Sequence, residues 1–385
     1  MKNSFLPVVV AVFAIVIAST SPAFTGSPWV QYGFDAAHSS FNDAETILTR
    51  HNVSDLAFRW GANVGMSVAT APIVGGGMMF VASDGKIFAF DAKTGMTLWS
   101  HLSCSGVDTL QAALGEHGLF VGDGGGDLAA YDPATGVQLW CDDEGGSITS
   151  APAVHDNAVY ITNGGDVVAV GQGTGVQRWR FTPADFGPVT NTPATANGVV
   201  YVTGGNSVFA LNEKTGQKIW RKNLGPQANI SAPSTSDGTV YVGGTGLYAL
   251  SAFDGHILWK KFTVGVNVST PAIANNKVYV NSEDPDFGLH AFNATTGALV
   301  WLQQYPGETE GTVTVANGVV YDVADTGELV MLKSDTGVIL GTLVDPDGRP
   351  FNSSFGAQVA IVNGRVFLST SDSFGANRVD SFRLP

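Results

Sequence analysis

The stretch Ala89–Trp99 reads AFDAKTGMTLW, and close variants of this eleven-residue phrase return along the chain. Successive copies lie about forty residues apart, which is the length of one four-stranded blade of a β-propeller. This spacing predicts one ring of blades rather than the several domains that a chain of 385 residues would ordinarily form. The other copies are AYDPATGVQLW (Ala130–Trp140), AVGQGTGVQRW (Ala169–Trp179), ALNEKTGQKIW (Ala210–Trp220), ALSAFDGHILW (Ala249–Trp259), AFNATTGALVW (Ala291–Trp301) and the worn copy MLKSDTGVILG (Met331–Gly341).

Each unit has the same order of strands. An inner strand begins with small residues and proline, a second is apolar and aromatic, a third carries the alanine of the phrase, and a fourth ends at its tryptophan. Inner strands begin near residues 69, 110, 149, 190, 230, 269, 311 and 356, but the eighth unit has only three strands before Pro385. Leu56–Trp60 is an outer strand without a unit of its own. We therefore predict an all-β, eight-bladed propeller of four-stranded antiparallel blades, in which the N-terminal strand completes the last blade and removes its free edge.

The repeated tryptophans and the two cysteines have structural interpretations. Each tryptophan offers a large flat surface and an indole N–H, so we expect the set to clamp neighbouring blades together. Cys104 and Cys141 follow the tryptophans of two neighbouring units, at the exits of their outer strands. An even cysteine count in an exported chain favours one disulfide, although two free thiols are the alternative. The expected structural tryptophans are Trp60, Trp99, Trp140, Trp179, Trp220, Trp259 and Trp301.

The N-terminus and the charge bear on location and partners. Lys2, the uncharged stretch Phe5–Ala18 and the small residues Ser21–Ala23 form the pattern of a secretory signal, and fourteen residues are fewer than the roughly 20 that span a bilayer. We predict a signal peptide at 1–23, a lead-in segment at 24–55 and a single propeller at 56–385. The product would be secreted or periplasmic, monomeric and without a stable membrane span. A net charge of −14 argues against nucleic-acid binding and leaves cationic or neutral partners open.

Acidic residues recur in the turns between second and third strands, which should share one face of the ring. A rim of carboxylates suits Ca²⁺, but aspartate is also common in turns because it caps them locally. The longest such turn holds the candidate metal ligands Asp284 and Asp286. None of the seven histidines is paired at the spacing of zinc ligands, so the sequence predicts no zinc site.

The phrase Ala-x-Asp-x-x-Thr-Gly-x-x-x-Trp resembles the tryptophan-docking motif of the pyrroloquinoline quinone (PQQ) repeat family. The resemblance extends from Trp29 to Pro385, because the segment WVQYGFDAAHSSFN at Trp29–Asn42 is similar to the start of those propellers. It implies an eight-bladed propeller that is either a quinone-dependent dehydrogenase or a non-enzymatic propeller of the BamB type.

The chain departs from the enzymes of that family at the positions that would hold PQQ and Ca²⁺. The enzymes use a vicinal disulfide as one wall of the quinone site, but Ser105 follows Cys104 here. Where the resemblance places a calcium-binding Glu and Asn, this chain offers only Asp166 and a weak counterpart, Asn206. We therefore predict an exported scaffold that binds a protein or small molecule at one face of the ring, with no cofactor. The alternative is a PQQ- and Ca²⁺-dependent alcohol or sugar dehydrogenase.

Overall fold

A computed structural model describes residues 28–65, 70–107, 112–183, 188–226, 230–261, 268–282, 288–304, 311–351, 358–371 and 377–385. The predicted signal peptide lies outside these ranges. The described strands form eight sheets with antiparallel pairing within each blade, and one further short strand is added in parallel to the seventh. The predicted eight-bladed propeller is therefore confirmed. In the described ranges, the structure has no helix with the length and apolar character needed to cross a membrane.

The strand order within each blade follows the chain from the inner to the outer strand. Before the ring come β1 (Phe41–Asn42), the 3-10 turn Val53–Asp55 and β2 (Ala57–Gly65). Blade 1 consists of β3 (Ile73–Gly75), β4 (Met78–Ser83), β5 (Lys86–Asp91) and β6 (Thr97–Leu102), and blade 2 of β7 (Ala113–Gly115), β8 (Gly118–Gly122), β9 (Asp127–Tyr131) and β10 (Gln138–Asp143). Blade 3 consists of β11 (Ala153–His155), β12 (Ala158–Asn163), β13 (Asp166–Gly171) and β14 (Gln177–Phe181), and blade 4 of β15 (Ala194–Ala196), β16 (Val199–Gly204), β17 (Ser207–Asn212) and β18 (Lys218–Asn223). Blade 5 consists of β19 (Ser234–Ser236), β20 (Thr239–Val242), β21 (Leu247–Ser251) and β22 (Ile257–Lys261), and blade 6 of β23 (Ala272–Ala274), β24 (Lys277–Ser282), β25 (Gly288–Asn293) and β26 (Leu299–Gln304). Blade 7 consists of β27 (Thr314–Ala316), β28 (Val319–Val323), β29 (Leu329–Lys333) and β30 (Ile339–Leu343). Blade 8 consists of β31 (Ala360–Val362), β32 (Arg365–Ser371) and β33 (Asn377–Arg383), with β2 as its outermost strand.

The N-terminal strand closes the ring as predicted. Strand β2 pairs antiparallel with β33, with Phe58 opposite Phe382 and Ala62 opposite Val379. Blade 8 therefore receives its first three strands from the C-terminal end of the chain and its fourth from the N-terminal end. This arrangement covers an edge that would otherwise present unpaired N–H and C=O groups.

The tryptophans dock each blade against the next one. Six of them donate an indole N–H to a carbonyl in the turn between the third and outer strands of the following blade. The glycine of each Thr-Gly turn lies under the preceding blade's indole, so a Cβ there would meet the ring at 2.5–2.8 Å. The repeated phrase thus describes an interface between blades. The six pairs are Trp99–Pro133, Trp140–Gln172, Trp179–Glu213, Trp220–Ala252, Trp259–Ala294 and Trp301–Ser334.

Replacing one docking glycine tests this interface. We expect Gly216→Ala to lower the free energy of unfolding by about 1–3 kcal/mol more than Gly198→Ala. Both glycines lie in blade 4 at positive φ (+68° and +76°), but an added Cβ meets Trp179 at 2.6 Å at Gly216 and open space at Gly198. Urea denaturation of both variants measures the difference. Equal losses would mean that backbone strain, rather than docking, requires glycine here.

The ring has two faces, which we call the plug face, after the segment Trp29–Asn42 described below, and the mouth face. The turns from inner to second and from third to outer strands lie on the plug face. The turns from second to third strands, and the connections between blades, lie on the opposite mouth face. The predicted acidic turns belong to the mouth face.

Residues Trp29–Asn42, here called the plug segment, run around the inside of the ring and bond to every blade. In six blades, the N–H of the middle residue of the inner strand donates to a plug carbonyl at 2.6–2.9 Å. In blade 3 the side chain of Gln31 accepts from Val154, and in blade 8 the side chain of Asn42 donates to Ile361. The exposed inner edges of the eight sheets are thereby satisfied by one segment. The six backbone pairs are Val74–Trp29, Leu114–Val30, Thr195–Ala36, Thr235–Ala37, Ile273–Ser39 and Val315–Ser40.

Tyr32 of the plug segment crosses the central channel. Its ring packs with Ala151 of blade 3 and Ala232 of blade 5, and its hydroxyl bonds to Thr270 at 2.9 Å and Thr312 at 3.0 Å. Blades 3 and 7 are opposite one another in an eight-membered ring, so this side chain contacts both sides of the channel. Burial raises the pKa of Tyr32, which stays a neutral hydrogen-bonding phenol.

A disulfide joins Cys104 and Cys141 at the edges of blades 1 and 2. The two cysteines are 37 residues apart in sequence, and the loop-entropy model assigns such a crosslink about 3–4 kcal/mol. Chains that keep such bonds are usually exported ones.

Candidate functional site

The sequence-predicted candidates on the mouth face have other partners in the structure. Asp166 begins the third strand of blade 3, and its Oδ2 lies 3.3 Å from Nη1 of Arg180, which also contacts Glu144. Asn206 is exposed in the corresponding turn of blade 4, where its carbonyl accepts the N–H of Leu224. The ion pair of Asp166 does not favour a role as a metal ligand. Asp284 and Asp286 lie outside the described residues, so their metal-binding role stays a prediction.

Ser105 stands where the family's enzymes have the second cysteine of a vicinal pair, and it is engaged elsewhere. Its Oγ donates to Oδ2 of Asp123 at 2.6 Å. Cys104 is bonded to Cys141 and not to a sequence neighbour. None of the eight tryptophans is left to stack on a flat cofactor at the mouth, since seven form the outer-strand positions of the repeat and Trp29 is fully buried. The described residues therefore do not fit PQQ in the manner that the resemblance implies.

A buried acid lies between blades 6 and 7. Asp322 is fully buried, and its Oδ1 accepts a hydrogen bond of 2.8 Å from Nδ2 of Asn281, which also donates to the carbonyl of Gly311. In the described part of the chain, its Oδ2 has no partner. Burial raises the pKa of Asp322 to about 7, and among the described residues no basic side chain offsets this effect.

The buried acid predicts a specific pH dependence. Its folded pKa lies above its unfolded one, so its contribution to stability is complete below pH ~4 and is lost as the pH rises through 7. We expect Asp322→Asn to become progressively more stable than the wild type between pH 4.5 and 7, by about 1.4 kcal/mol per pH unit, and to keep that advantage at pH 8. Urea denaturation at pH 5 and pH 8 measures it, with the exposed Asp55→Asn as control. A difference that does not change with pH would contradict it.

A pocket of about 630 Å³ opens on the plug face between blades 5 and 6. The plug segment supplies one wall with Phe34, Asp35 and Phe41, and the blades supply the other. Its lining combines aromatic and aliphatic side chains with three acids and several other polar groups, and ligand sites commonly pair apolar surface with a few polar groups. The remaining lining residues are Ser39, Asp43, Ser236, Asp237, Thr239, Tyr241, Leu258, Ile273, Ala274, Asn275, Asn276, Ala294 and Thr295.

The pocket is acidic and its wall is conformationally strained. Burial raises the pKa of Asp35, and repulsion from Asp43 adds to the rise, although Ala37 and Ser39 donate hydrogen bonds to the carboxylate. Phe34 has φ +73°, which is rare for a bulky side chain. Its ring is held 5.0 Å from that of Trp29 in an edge arrangement. Such strain persists where the surroundings require it, and ligand sites are one such place.

Sequence reasoning missed this pocket because its acids come from distant parts of the chain. Asp35 belongs to the plug segment, which the sequence shows only as a family resemblance, Asp43 directly follows that segment, and Asp237 lies in an ordinary Asp-Gly turn. The one available signal was that the plug segment breaks the repeat.

Comparison with known sequences agrees with this architecture. A family profile described as outer membrane protein assembly factor BamB matches residues 43–143, 124–236, 204–287 and 288–381. The chain belongs to this family. A 1-butanol dehydrogenase (cytochrome c) from Thauera butanivorans is 30% identical over 168 residues, which are 39% of this BamB-family chain and 24% of that protein. The chain therefore spans only about a quarter of that relative's length.

Solved structures of both kinds of propeller share the fold. Quinohemoprotein alcohol dehydrogenase ADHIIG from Pseudomonas putida superposes with a TM-score of 0.76 at 15% identity, covering 93% of this chain and 80% of that one. BamB from Moraxella catarrhalis superposes with a TM-score of 0.66 at 16% identity, covering 85% of this chain and 97% of that one. At these identities the likeness concerns the fold alone.

Proposed function

We propose that this BamB-family protein is an exported binding propeller that recognises a positively charged, partly apolar ligand, such as a basic peptide segment, at the pocket on the plug face. The observation that supports the proposal is the pocket itself, which Asp35, Asp43 and Asp237 line together with Phe34 and Phe41. A cation relieves the repulsion between Asp35 and Asp43, and aromatic faces attract cations and apolar groups alike. A chain with net charge −14 also steers cationic partners towards itself.

Three further observations support a binding role over a quinone-dependent one. Tyr32 crosses the central channel, Ser105 is bonded to Asp123, and Asp166 is paired with Arg180. The signal-like N-terminus and the disulfide support export.

A labelled peptide tests the binding site. We expect a short fluorescent peptide of alternating lysine and phenylalanine to bind, with an affinity that falls as salt is added, and a peptide of alternating glutamate and phenylalanine not to bind. The double variant Asp43→Asn/Asp237→Asn should weaken binding about tenfold, which corresponds to about 1.4 kcal/mol from two exposed charges. The control Asp55→Asn/Glu116→Gln changes the net charge equally, away from the pocket. An equal loss of peptide affinity in both double variants would contradict the proposal, because it would mean that the overall charge, and not the pocket, attracts the peptide.

The second candidate is a PQQ- and Ca²⁺-dependent alcohol dehydrogenase, which the similarity to the Thauera butanivorans enzyme favours. Mixing the protein with PQQ and Ca²⁺, removing free cofactor and recording the quinone absorbance separates the two candidates. We expect no retained quinone and no dye-linked alcohol oxidation. Retained PQQ with alcohol oxidation that Asp166→Ala abolishes would promote the enzyme over the binding propeller.

A further inference from the structure

At the junction of blades 3 and 4, two neighbouring positions of the repeat carry residue types that the other blades lack there. The last residue of the inner strand is small or aliphatic in seven blades, but it is His155 in blade 3. The residue whose carbonyl accepts a docking indole is an acid only at Glu213 of blade 4. The counterparts of His155 are Gly75, Gly115, Ala196, Ser236, Ala274, Ala316 and Val362, and those of Glu213 are Pro133, Gln172, Ala252, Ala294 and Ser334.

The two exceptional side chains meet, and a third donor joins them. Nδ1 of His155 lies 2.5 Å from Oε1 of Glu213, although the residues are 58 positions apart. With the carboxylate of Asp156, their ligand atoms all lie within 4.8 Å of one another. The Glu213 side chain is 8% exposed and that of His155 is 33% exposed, while Asp156 is exposed. The cluster is therefore buried on the side of Glu213 and open to solvent on the side of Asp156, at the plug face.

Neighbouring groups hold each donor in place. The hydroxyl of Tyr160 donates to Oε1 of Glu213 at 3.1 Å, whereas the corresponding tyrosine hydroxyls of blades 4 to 6 donate to backbone carbonyls. The indole of Trp179 holds the carbonyl of Glu213 at 2.9 Å. Nε2 of Gln172 donates to the carbonyl of Asp156 at 2.6 Å, which fixes the turn. Second-shell contacts of this kind orient the ligands of metal sites.

We propose that His155, Asp156 and Glu213 bind a divalent transition-metal ion of the Zn²⁺ type on the plug face between blades 3 and 4. One imidazole and two carboxylates are a donor set that Zn²⁺ accepts, and the open side leaves room for water as the remaining ligand. The ion would replace the proton that His155 and Glu213 share. A metal here would crosslink blades 3 and 4 beside the indole and hydroxyl contacts that already join them.

Calorimetric titration of the purified full chain with ZnCl₂ tests the site. We expect one ion to bind per chain, with His155→Ala and Glu213→Ala each weakening binding at least tenfold. Glu213→Ala installs the residue found at the same position in blades 5 and 6, and Glu213→Gln is a second variant that keeps the shape of the side chain. Thermal melting of each metal-free variant verifies that the ring is folded.

His256→Ala is the matched control. His256 is also 2.6 Å from a carboxylate, that of Asp254, but this pair is exposed, and within the described residues no third donor joins it. Binding should be unchanged in this variant. The absence of saturable Zn²⁺ binding, or binding that depends on His256 and not on His155 or Glu213, would overturn the proposal.

Discussion

Deleting residues 24–65 is expected to prevent cooperative folding of the ring, or to lower its Tm by at least about 10 °C. The deletion removes β2, whose ladder with β33 contains seven register pairs, and the plug segment, which bonds to all eight inner strands. Each lost hydrogen bond contributes about 0.5–1.5 kcal/mol, and in a chain of this size each kilocalorie corresponds to about 1–2 °C. The exposed edge of β33 should also promote aggregation.

Two further chains separate the strand from the plug. Deleting residues 24–42 alone removes the plug segment and keeps β2. Deleting 24–65 and appending residues 52–65 after Pro385 through a flexible linker restores the outer strand without the plug. We expect both to melt between the wild type and the full deletion, as measured by circular dichroism. Unchanged melting of the full deletion would show that neither closure nor the plug stabilises the ring.

Arg378→Ala is expected to lower the free energy of unfolding by about 3–5 kcal/mol. Arg378 lies on β33 and forms ion pairs with Asp345, Asp347 and Asp380, and its guanidinium lies 5.5 Å from the centre of the Phe58 ring. The side chains of Asp345 and Asp380 are fully buried, so removing the cation leaves two carboxylates without a counter-charge. The cluster joins the exit of blade 7 to blade 8 and to the N-terminal strand.

Two controls identify the cause of this loss. Arg383 is on the same strand but exposed, so Arg383→Ala should change stability by less than about 0.5 kcal/mol. Arg378→Met keeps much of the side-chain volume and should be nearly as damaging as alanine if charge is the cause. The deficit of Arg378→Ala should also be smaller at pH 5 than at pH 8, because protonation neutralises the stranded acids. Urea denaturation at both pH values measures this, and a loss in Arg383→Ala as large as in Arg378→Ala would contradict the prediction.

The repeated phrase made the fold predictable because its period and its turn chemistry are local. Gly95 and its equivalents need positive φ, and their tryptophan partners recur at a constant distance along the chain. The three-stranded last unit and the unassigned strand ending at Trp60 were enough to predict closure. The even cysteine count and the similar places of Cys104 and Cys141 in neighbouring units favoured a disulfide over two free thiols, and the structure contains that disulfide.

The site residues were less predictable because their partners lie in other blades. The sequence places Asp166 among the acids of the mouth-face turns, but in the structure it forms an ion pair with Arg180 on the neighbouring strand. Asp322 reads as one polar residue in an apolar strand, and only packing between blades 6 and 7 makes it a buried acid with a raised pKa. The histidines have no metal-ligand spacing along the chain, yet His155 meets Glu213 across a blade junction.

The sequence by itself determined the all-β propeller, its eight blades, their docking by tryptophan and the strand that closes the ring, because each depends on a pattern that repeats within about forty residues. Only the tertiary structure decided that the plug segment bonds to every blade, that Tyr32 crosses the channel, and that acids distant in sequence line one pocket. Most of these contacts join residues that are more than a hundred positions apart, and such distances leave no period in the sequence.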